Sequence, residues 1–545
     1  MKSPITLILL FFLVFYTETC SGQSGQKEQL RKADSIISSY SDEKAPGMAV
    51  GIIREGEVIY RKTYGLANLE HRIAVTDSTA FDIASVSKQF TAFMILLAEK
   101  EGKLSLEDDI RIYLPELKHL PYKITIRQLA NHTHGLPDFT MIKRLQGFGN
   151  EFRVTNKEAV QTVLAIKSIH FPPGTRYWYN NTGFMLLAEI LHRIYKKEFN
   201  EILREHIFRP LQMNHSMAVD DPEKIIPDKA ESYKDNGTVF SKAPLGQMEY
   251  GSSNIFTTLD DLCKWTVNFQ NPKIGSREIY NTMQQNSVLT TGKKIEYGLG
   301  LQTGKYKGLN IVFHGGGTAG YRSYILHVPD YHLSIVMAGN RSTFDGLFIV
   351  YKLVDLFLKD QQVLPAPSQK VSYTSAGLKD FAGMYEINPG NYLEITTDGK
   401  KLYQGKNKTP LTMMGDGRFS IPYIPTASIS FHTGSLIFNI GDFAFDCKKV
   451  ILNTLRPGRK ELEKFIGFYR NEEFNTVYQL RIEGDNLIAR HSINPDIVLY
   501  SLSPSTFYSF RSMFGRLDFT YKNNAVEGFK LSGAGMTDIE FKKIK

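Results

Sequence analysis

Apolar residues run unbroken from Met48 to Ile53, give way to Arg54-Glu55-Gly56, and return from Val58 to Tyr64. That pattern predicts two strands joined by a tight turn near the start of a domain. A loop to Ala84 then leads into Ser85, followed by Phe90, Phe93, Met94, Ile95, Leu96 and Leu97 up to Gly102. Apolar side chains surround this segment almost completely, which predicts a buried helix stopped at the glycine. A second helix is predicted from about Thr182 to Tyr195, and Tyr321 to Val328, Pro329-Asp330 and Leu333 to Met337 read as a further hairpin. Strands at both sequence ends with helices between them predict an antiparallel sheet flanked by helices.

The pattern changes after residue 360. Gln361 to Gly377, with Pro365, Pro367 and several Ser and Thr, reads as a linker. Beyond it short alternating runs replace helical periodicity, which predicts an all-β region. Leu378-Lys379-Asp380-Phe381-Ala382-Gly383-Met384-Tyr385 recurs as Leu462-Glu463-Lys464-Phe465-Ile466-Gly467-Phe468-Tyr469, each copy followed by a strand and a turn. This repetition divides the region into two similar units, 378–458 and 459–545, as two small barrels or two halves of a larger one. The repeated aromatics are expected in barrel cores. Few contacts are expected between these units and the domain over 23–360.

Length and composition agree with several packed domains: 545 residues, 42% hydrophobic and 22% charged, with about three or four domains expected from length alone. Lys2 and the apolar run from Ile5 to Tyr16, followed by small and polar residues through Gly22, have the order of a secretory signal peptide over 1–22. Export to the periplasm or the medium is therefore expected. Cys20 is the alternative, as a lipid-anchored residue, but Thr17-Glu18-Thr19 before it fits that processing poorly. After the leader no stretch reaches the roughly 20 apolar residues of a membrane helix. Cys263 and Cys447 form no disulfide framework and read as buried hydrophobes. The net charge of +9 is scattered in pairs such as Lys196-Lys197 and Lys448-Lys449. It suits a solvated surface with possible affinity for anionic envelope polymers such as peptidoglycan, and no nucleic-acid module accompanies it.

Three segments carry candidate chemistry. Ser85-Val86-Ser87-Lys88 places a lysine nearly one helical turn beyond a serine at the mouth of the buried helix. A serine hydroxyl needs a base within reach to act as a nucleophile, and a desolvated lysine loses proton affinity. Pro173-Gly174-Thr175-Arg176-Tyr177-Trp178-Tyr179-Asn180-Asn181 leads from a turn into the second helix. His314-Gly315-Gly316-Gly317 enters a strand, where successive glycines permit close backbone approach to a ligand or merely a bulge.

Ser85-x-x-Lys88, Tyr179-x-Asn181 and His314-Gly315-Gly316 stand in the order of the three motifs of serine β-lactamases and penicillin-binding proteins. The spacing resembles the group of class C β-lactamases and D-alanyl-D-alanine carboxypeptidases. Phe81-Asp82-Ile83-Ala84, Thr125-Ile126-Arg127, His132-Thr133-His134-Gly135-Leu136-Pro137 and Gly339-Asn340 extend the likeness over roughly residues 28 to 345. The resemblance implies an α/β (α+β) domain with a helical subdomain, followed by the β-barrel-like region. It implies Ser85 as the acylated nucleophile, with Lys88 and Tyr179 sharing proton transfer in an order it leaves open. Asn181 would hold either the substrate amide or Lys88. The backbone N–H groups of Ser85 and Gly317 would stabilise the oxyanion, with His314 and Gly316 in support. No metal or organic cofactor is implied.

The third motif departs from the usual Lys-Thr-Gly. A neutral histidine and a glycine weaken the grip on a substrate carboxylate, so the resemblance points to a D-amino-acid peptidase, a carboxypeptidase-like enzyme or an esterase. A β-lactamase, or a non-catalytic penicillin-binding or peptide-sensing envelope protein, is the alternative. The substrate is expected to be a small peptide, an ester or a β-lactam. The C-terminal units also resemble the appended barrels of D-aminopeptidase-like members.

Overall fold

The computed structural model describes residues 25–544 apart from 150, 363–372, 374, 406–407, 415, 422–423, 441–442, 452–456 and 534. The proposed leader, Cys20 and most of the expected linker lie outside the described residues.

The domain before residue 360 is built on one six-stranded antiparallel sheet. We label helix α1 (residues 25–38), strands β1 (Met48–Arg54) and β2 (Glu57–Tyr64), and helices α2 (Lys88–Lys100), α3 (Thr182–Tyr195) and α4 (Leu259–Gln270). Strands β3 (Gln302–Tyr306), β4 (Leu309–Thr318), β5 (Tyr321–Val328) and β6 (Leu333–Gly339) and helix α5 (Gly346–Phe357) complete it. The strand order is β3-β4-β5-β6-β1-β2. The N-terminal hairpin thus pairs with the last strand of the domain, Met48 opposite Gly339.

Strand β1 is apolar without alternation because both faces of the sheet are covered. Met48, Val50 and Ile52 pack with Phe313, Leu326 and Ile335 beneath Ala33 and Ile37 of α1 and Leu353 and Val354 of α5. Ala49 and Ile53 belong to the opposite face, with Phe90 and Phe93 of α2 and Trp265 of α4. Side chains alternate across a strand, so two covered faces demand an unbroken apolar run. Helix α2 sits in the middle of this second layer with Phe90 stacked on Trp265 at 4.3 Å between ring centroids, which explains its all-round hydrophobicity. The helical subdomain, including α3, packs on α2.

The β-rich region forms two separate sheets, which decides between the two arrangements expected from the repeat. Residues 467–543 form a closed eight-stranded up-and-down barrel, its first strand pairing with its last. Residues 383–450 form a nine-stranded sheet whose edges, Thr409–Pro410 and Thr412–Met413, are separated only by Leu411, so that it nearly closes as well. Cys263 and Cys447 are free and buried.

The two repeat copies build the same lock. Tyr385 donates its hydroxyl to Phe381 O at 2.8 Å, and Tyr469 donates to Phe465 O at 2.8 Å. A lysine from the last strand of each unit closes the arrangement. Lys449 Nζ donates to Asp380 O at 2.7 Å and lies 5.9 Å over the Tyr385 ring. Lys543 Nζ donates to Lys464 O at 3.2 Å and lies 5.7 Å over Tyr469. The repeated Leu-x-x-Phe-x-Gly-x-Tyr pattern is therefore a barrel-closing device, in which a buried phenol must find a partner and takes the carbonyl four residues back.

The expectation of few contacts with the domain before residue 360 fails for the second barrel, whose apolar core is continuous with that of this domain. At the C-terminus of the helix Phe139–Leu145, where carbonyls run out of helical partners, Arg144 O accepts from the Gly147 amide at 3.0 Å and the second barrel supplies further donors. Thr476 Oγ1 and Tyr478 OH donate to Leu145 O at 3.0 and 3.1 Å, and Asn494 Nδ2 donates to Arg144 O at 2.9 Å. Gly147, at φ +90°, follows this helix, and a Cβ there would lie 2.7 Å from Ile493 Cβ. Glu473 accepts from the Lys167 and Ser168 amides, and the Thr537 amide donates to His170 Nδ1 at 2.7 Å.

Candidate active site

Ser85 lies in a 3-10 turn, Ala84–Ser87, that runs directly into α2. Ala84 is held at φ +46°, in the left-handed region, while its amide donates to Asp82 Oδ1 at 2.6 Å. Backbone strain of this kind persists only where the surroundings over-determine it. Here Asp82, buried beneath the turn, does so, and burial pushes its carboxyl up to about 7. Strand β4 passes close by. A Cβ on Gly316 would collide with Ile83 O and Ser323 Oγ, so this position requires glycine if the strand is to reach the serine turn. Gly317 follows at the exposed lip of the same strand.

Lys88 is the first residue of α2 and is fully buried. Its Nζ lies 3.2 Å from Ser85 Oγ, 2.8 Å from Asn181 Oδ1 and 2.9 Å from Ser252 O. Two of these partners are carbonyl oxygens that can only accept. An ammonium can donate to all three, and a neutral amine can equally give its two protons to the carbonyls and its lone pair to the Ser85 hydroxyl. Burial pushes Lys88 down to about 7, against the opposing fields of Glu249 and Asp138. Glu249, itself raised by burial, accepts from Asn181 Nδ2 at 3.1 Å. Asn181 also donates to Thr140 Oγ1 at 3.3 Å, so its amide is committed inward. Of the two roles the resemblance left open, the geometry engages Asn181 with Lys88.

The Tyr179 ring lies 4.9 Å from Lys88 Nζ, and the Ser85 hydroxyl is near enough to influence its phenol. Burial raises the phenol well above its ordinary range, with the nearby Ser85 hydroxyl opposing. The phenol therefore stays protonated near neutral pH, whereas Lys88 lies close to the midpoint of its titration. Tyr179 is positioned by His132, whose carbonyl accepts from the Trp178 amide at 2.9 Å and whose ring packs 4.4 Å from the phenol ring.

His314 is buried and tied into a chain through Tyr297. Tyr297 OH lies 3.1 Å from His132 Nε2 and 3.1 Å from His314 Nε2, and His314 Nδ1 lies 2.7 Å from Gly315 O. The Asn180 amide donates to His132 Nδ1. One arrangement of protons satisfies every contact: His132 Nε2–H to the phenol oxygen, the phenol O–H to His314 Nε2, and His314 Nδ1–H to Gly315 O. Burial pushes His314 down to about 3, so the ring is neutral and both nitrogens are engaged within the protein.

The structure thus brings Ser85, Lys88, Tyr179, Asn181 and His314 to one place, with Gly316 and Gly317 on the adjoining strand. Glu249, Ser252 and Tyr297 escaped the sequence reading. Glu249 and Ser252 belong to no motif. Tyr297-Gly298-Leu299-Gly300 is a turn-like run that could have marked an approach to the site. The cleft beside Ser85 is also lined by Ile387, Asn388, Ala444 and Phe445, which belong to the first barrel.

A beta-lactamase family model matches residues 33–354. The chain belongs to that family, and with it to the serine hydrolases of peptidase or esterase type. It is 30% identical over 297 residues to a D-aminopeptidase of Gluconobacter oxydans, covering 54% of this chain and 56% of that protein. It is 29% identical over 374 residues to a D-aminopeptidase of Brucella anthropi, covering 68% of this chain and 69% of that one. The alignments therefore span between about half and two thirds of these relatives. The octameric penicillin-binding protein homologue from Pyrococcus abyssi shares the fold, with a TM-score of 0.55 at 24% identity over 76% of this chain and 99% of that one.

Proposed function

We propose that the protein is an exported hydrolase that cleaves a D-amino-acid peptide or an ester through an acyl-enzyme on Ser85. The observation that carries this reading is the Lys88 amine, buried without exposure and 3.2 Å from Ser85 Oγ. As Oγ attacks the acyl carbonyl, Lys88 Nζ takes its proton. The backbone N–H groups of Ser85 and Gly317 stabilise the oxyanion that grows in the transition state. Tyr179 gives its proton to the leaving group and recovers one from Lys88. Water then attacks the ester, and its proton passes through the same pair to Ser85 Oγ as the acid leaves. The Lys2 and Ile5–Tyr16 leader supports export, and peptidoglycan fragments are reachable peptide substrates there.

A fluorophosphonate or a fluorescent penicillin should label the purified protein, and Ser85→Ala should abolish labelling while leaving the fold intact. Equal labelling of the alanine variant removes Ser85 from this role. Lys88→Ala and Tyr179→Phe should each reduce turnover by about a hundredfold or more, the scale for losing a positioned proton carrier. Because Lys88 must be neutral to accept a proton and titrates near 7, acylation should rise with pH through about 7. A flat profile from pH 5 to 9, at an unchanged rate-limiting step, would count against the lysine as base. Rates on D-alanyl peptides, D-amino acid amides, nitrophenyl esters and a chromogenic cephalosporin would separate peptidase, esterase and β-lactamase.

A further inference from the structure

The cleft beside Ser85 encloses about 950 Å³, and its charged lining has a single sign. Arg176 and Lys293 face it, and among the described lining residues there is no aspartate or glutamate. Neither cation has a carboxylate partner within ion-pair distance among the described residues. The Arg176 guanidinium instead lies 5.8 Å over the Trp178 ring, which orients it without neutralising it. The two residues stand on different loops latched together. Lys293 closes a turn in which its carbonyl accepts from the Leu289 amide at 2.9 Å, and the neighbouring Thr290 amide donates to Gly174 O at 2.9 Å, two residues before Arg176.

The rest of the site cannot bind an anion or a cation in their place. His314, at the position where the family pattern carries a lysine, is neutral with both nitrogens engaged. Asp138 accepts from the Asn181 and Met141 amides, and Glu249 lies behind Lys88 against Asn181. A substrate's free ammonium would therefore meet two cations and no carboxylate in the cleft, while a carboxylate would meet two unpartnered donors.

We propose that Arg176 and Lys293 form an anion subsite, and that the substrate is a peptide with a free carboxylate and an acylated amino end. This rests on the Ser85 reading above and sets the chain apart from an enzyme that needs a free amino terminus. Apolar walls from Leu289, Ile295 and the first-barrel residue Phe445 would receive the acyl part of such a substrate.

Protection of Ser85 from a fluorophosphonate tests this on the full chain. The competitors are N-acetyl-D-alanine, its carboxamide and D-alaninamide. The free carboxylate should slow labelling at a concentration about tenfold or more below either of the others, with the advantage narrowing in about 0.5 M salt. In the double variant Arg176→Gln, Lys293→Gln that advantage should fall to within about threefold of unity, and Arg176→Lys should keep most of it because the charge remains. Equal protection by carboxylate and carboxamide, stronger protection by D-alaninamide, or an advantage that survives the double variant overturns the anion subsite. Failure to label the wild-type protein at all is a different result and overturns the Ser85 reading instead.

Discussion

The two C-terminal barrels begin from the same eight-residue pattern and close with the same tyrosine-to-carbonyl bond, yet they stand in opposite relations to the catalytic domain. The second barrel is fused to it. Its core is continuous with the catalytic core, and its side chains cap the carbonyls at the end of the helix Phe139–Leu145. The first barrel keeps an apolar core of its own, around Tyr385, Leu402, Phe419 and Leu436. It reaches the cleft only with side chains such as Ile387 and Phe445. A repeat therefore specifies how each unit closes, whereas residues outside the repeated pattern, such as Tyr478 and Phe445, decide what the unit touches. In this molecule the second barrel shares the core of the N-terminal domain, and the first contributes walls to the cleft.

Removing the barrels should test that contrast most severely. A chain ending near Gln361 exposes the Leu145 and Arg144 carbonyls and the apolar surface beneath Phe474 and Ile493. It should be insoluble, or melt about 10 °C or more below the full chain. A soluble truncation with an unchanged melting temperature would show that the shared core contributes nothing. Calorimetry of the full chain should resolve a separate transition for the first barrel, because its core is its own, while the catalytic domain and the second barrel melt together.

Smaller substitutions sharpen the comparison. Tyr469→Phe and Tyr385→Phe remove the same bond from the two units. The carbonyl of fully buried Phe465 should be left unpaired at a cost of about 1–3 kcal/mol, and the less buried Phe381 at about 1 kcal/mol or less, measured by urea unfolding. Only Tyr469→Phe should lower the transition of the catalytic domain. Phe445→Ala should leave stability nearly unchanged and alter the kcat/KM ratio between bulky and small acyl groups by about tenfold, the scale for a change in an apolar wall. An unaltered ratio would remove the first barrel from substrate selection.

Much of this molecule was legible in its residues because the governing interactions are local or periodic. The apolar run Met48–Ile53, the hairpin to Val328 and the helix Thr182–Tyr195 appear where the patterning put them, since strand alternation and helical spacing need only near neighbours. Ser85 and Lys88 could be paired from three residues of spacing. The union of Tyr179, Asn181 and His314 with them was legible only as a family resemblance, because no spacing rule spans hundreds of residues.

What the residues could not convey was anything set by distant packing. That Lys88 titrates near 7 follows from burial, and its contacts with the carbonyls of Asn181 and Ser252 exist only in the folded chain. That His314 cannot hold a carboxylate follows from Tyr297, and that Arg176 and Lys293 share a cleft follows from a latch between their loops. The linker before Leu378 suggested independent barrels because composition reports how a segment behaves by itself. It says nothing of which surfaces of the second barrel match the helix end at Leu145. By itself the sequence determined the main elements, the pairing of Ser85 with Lys88 and the repeat, all products of short-range geometry. Tertiary structure alone decided protonation, cleft charge and barrel docking, because desolvation and long-range complementarity exist only once distant surfaces meet.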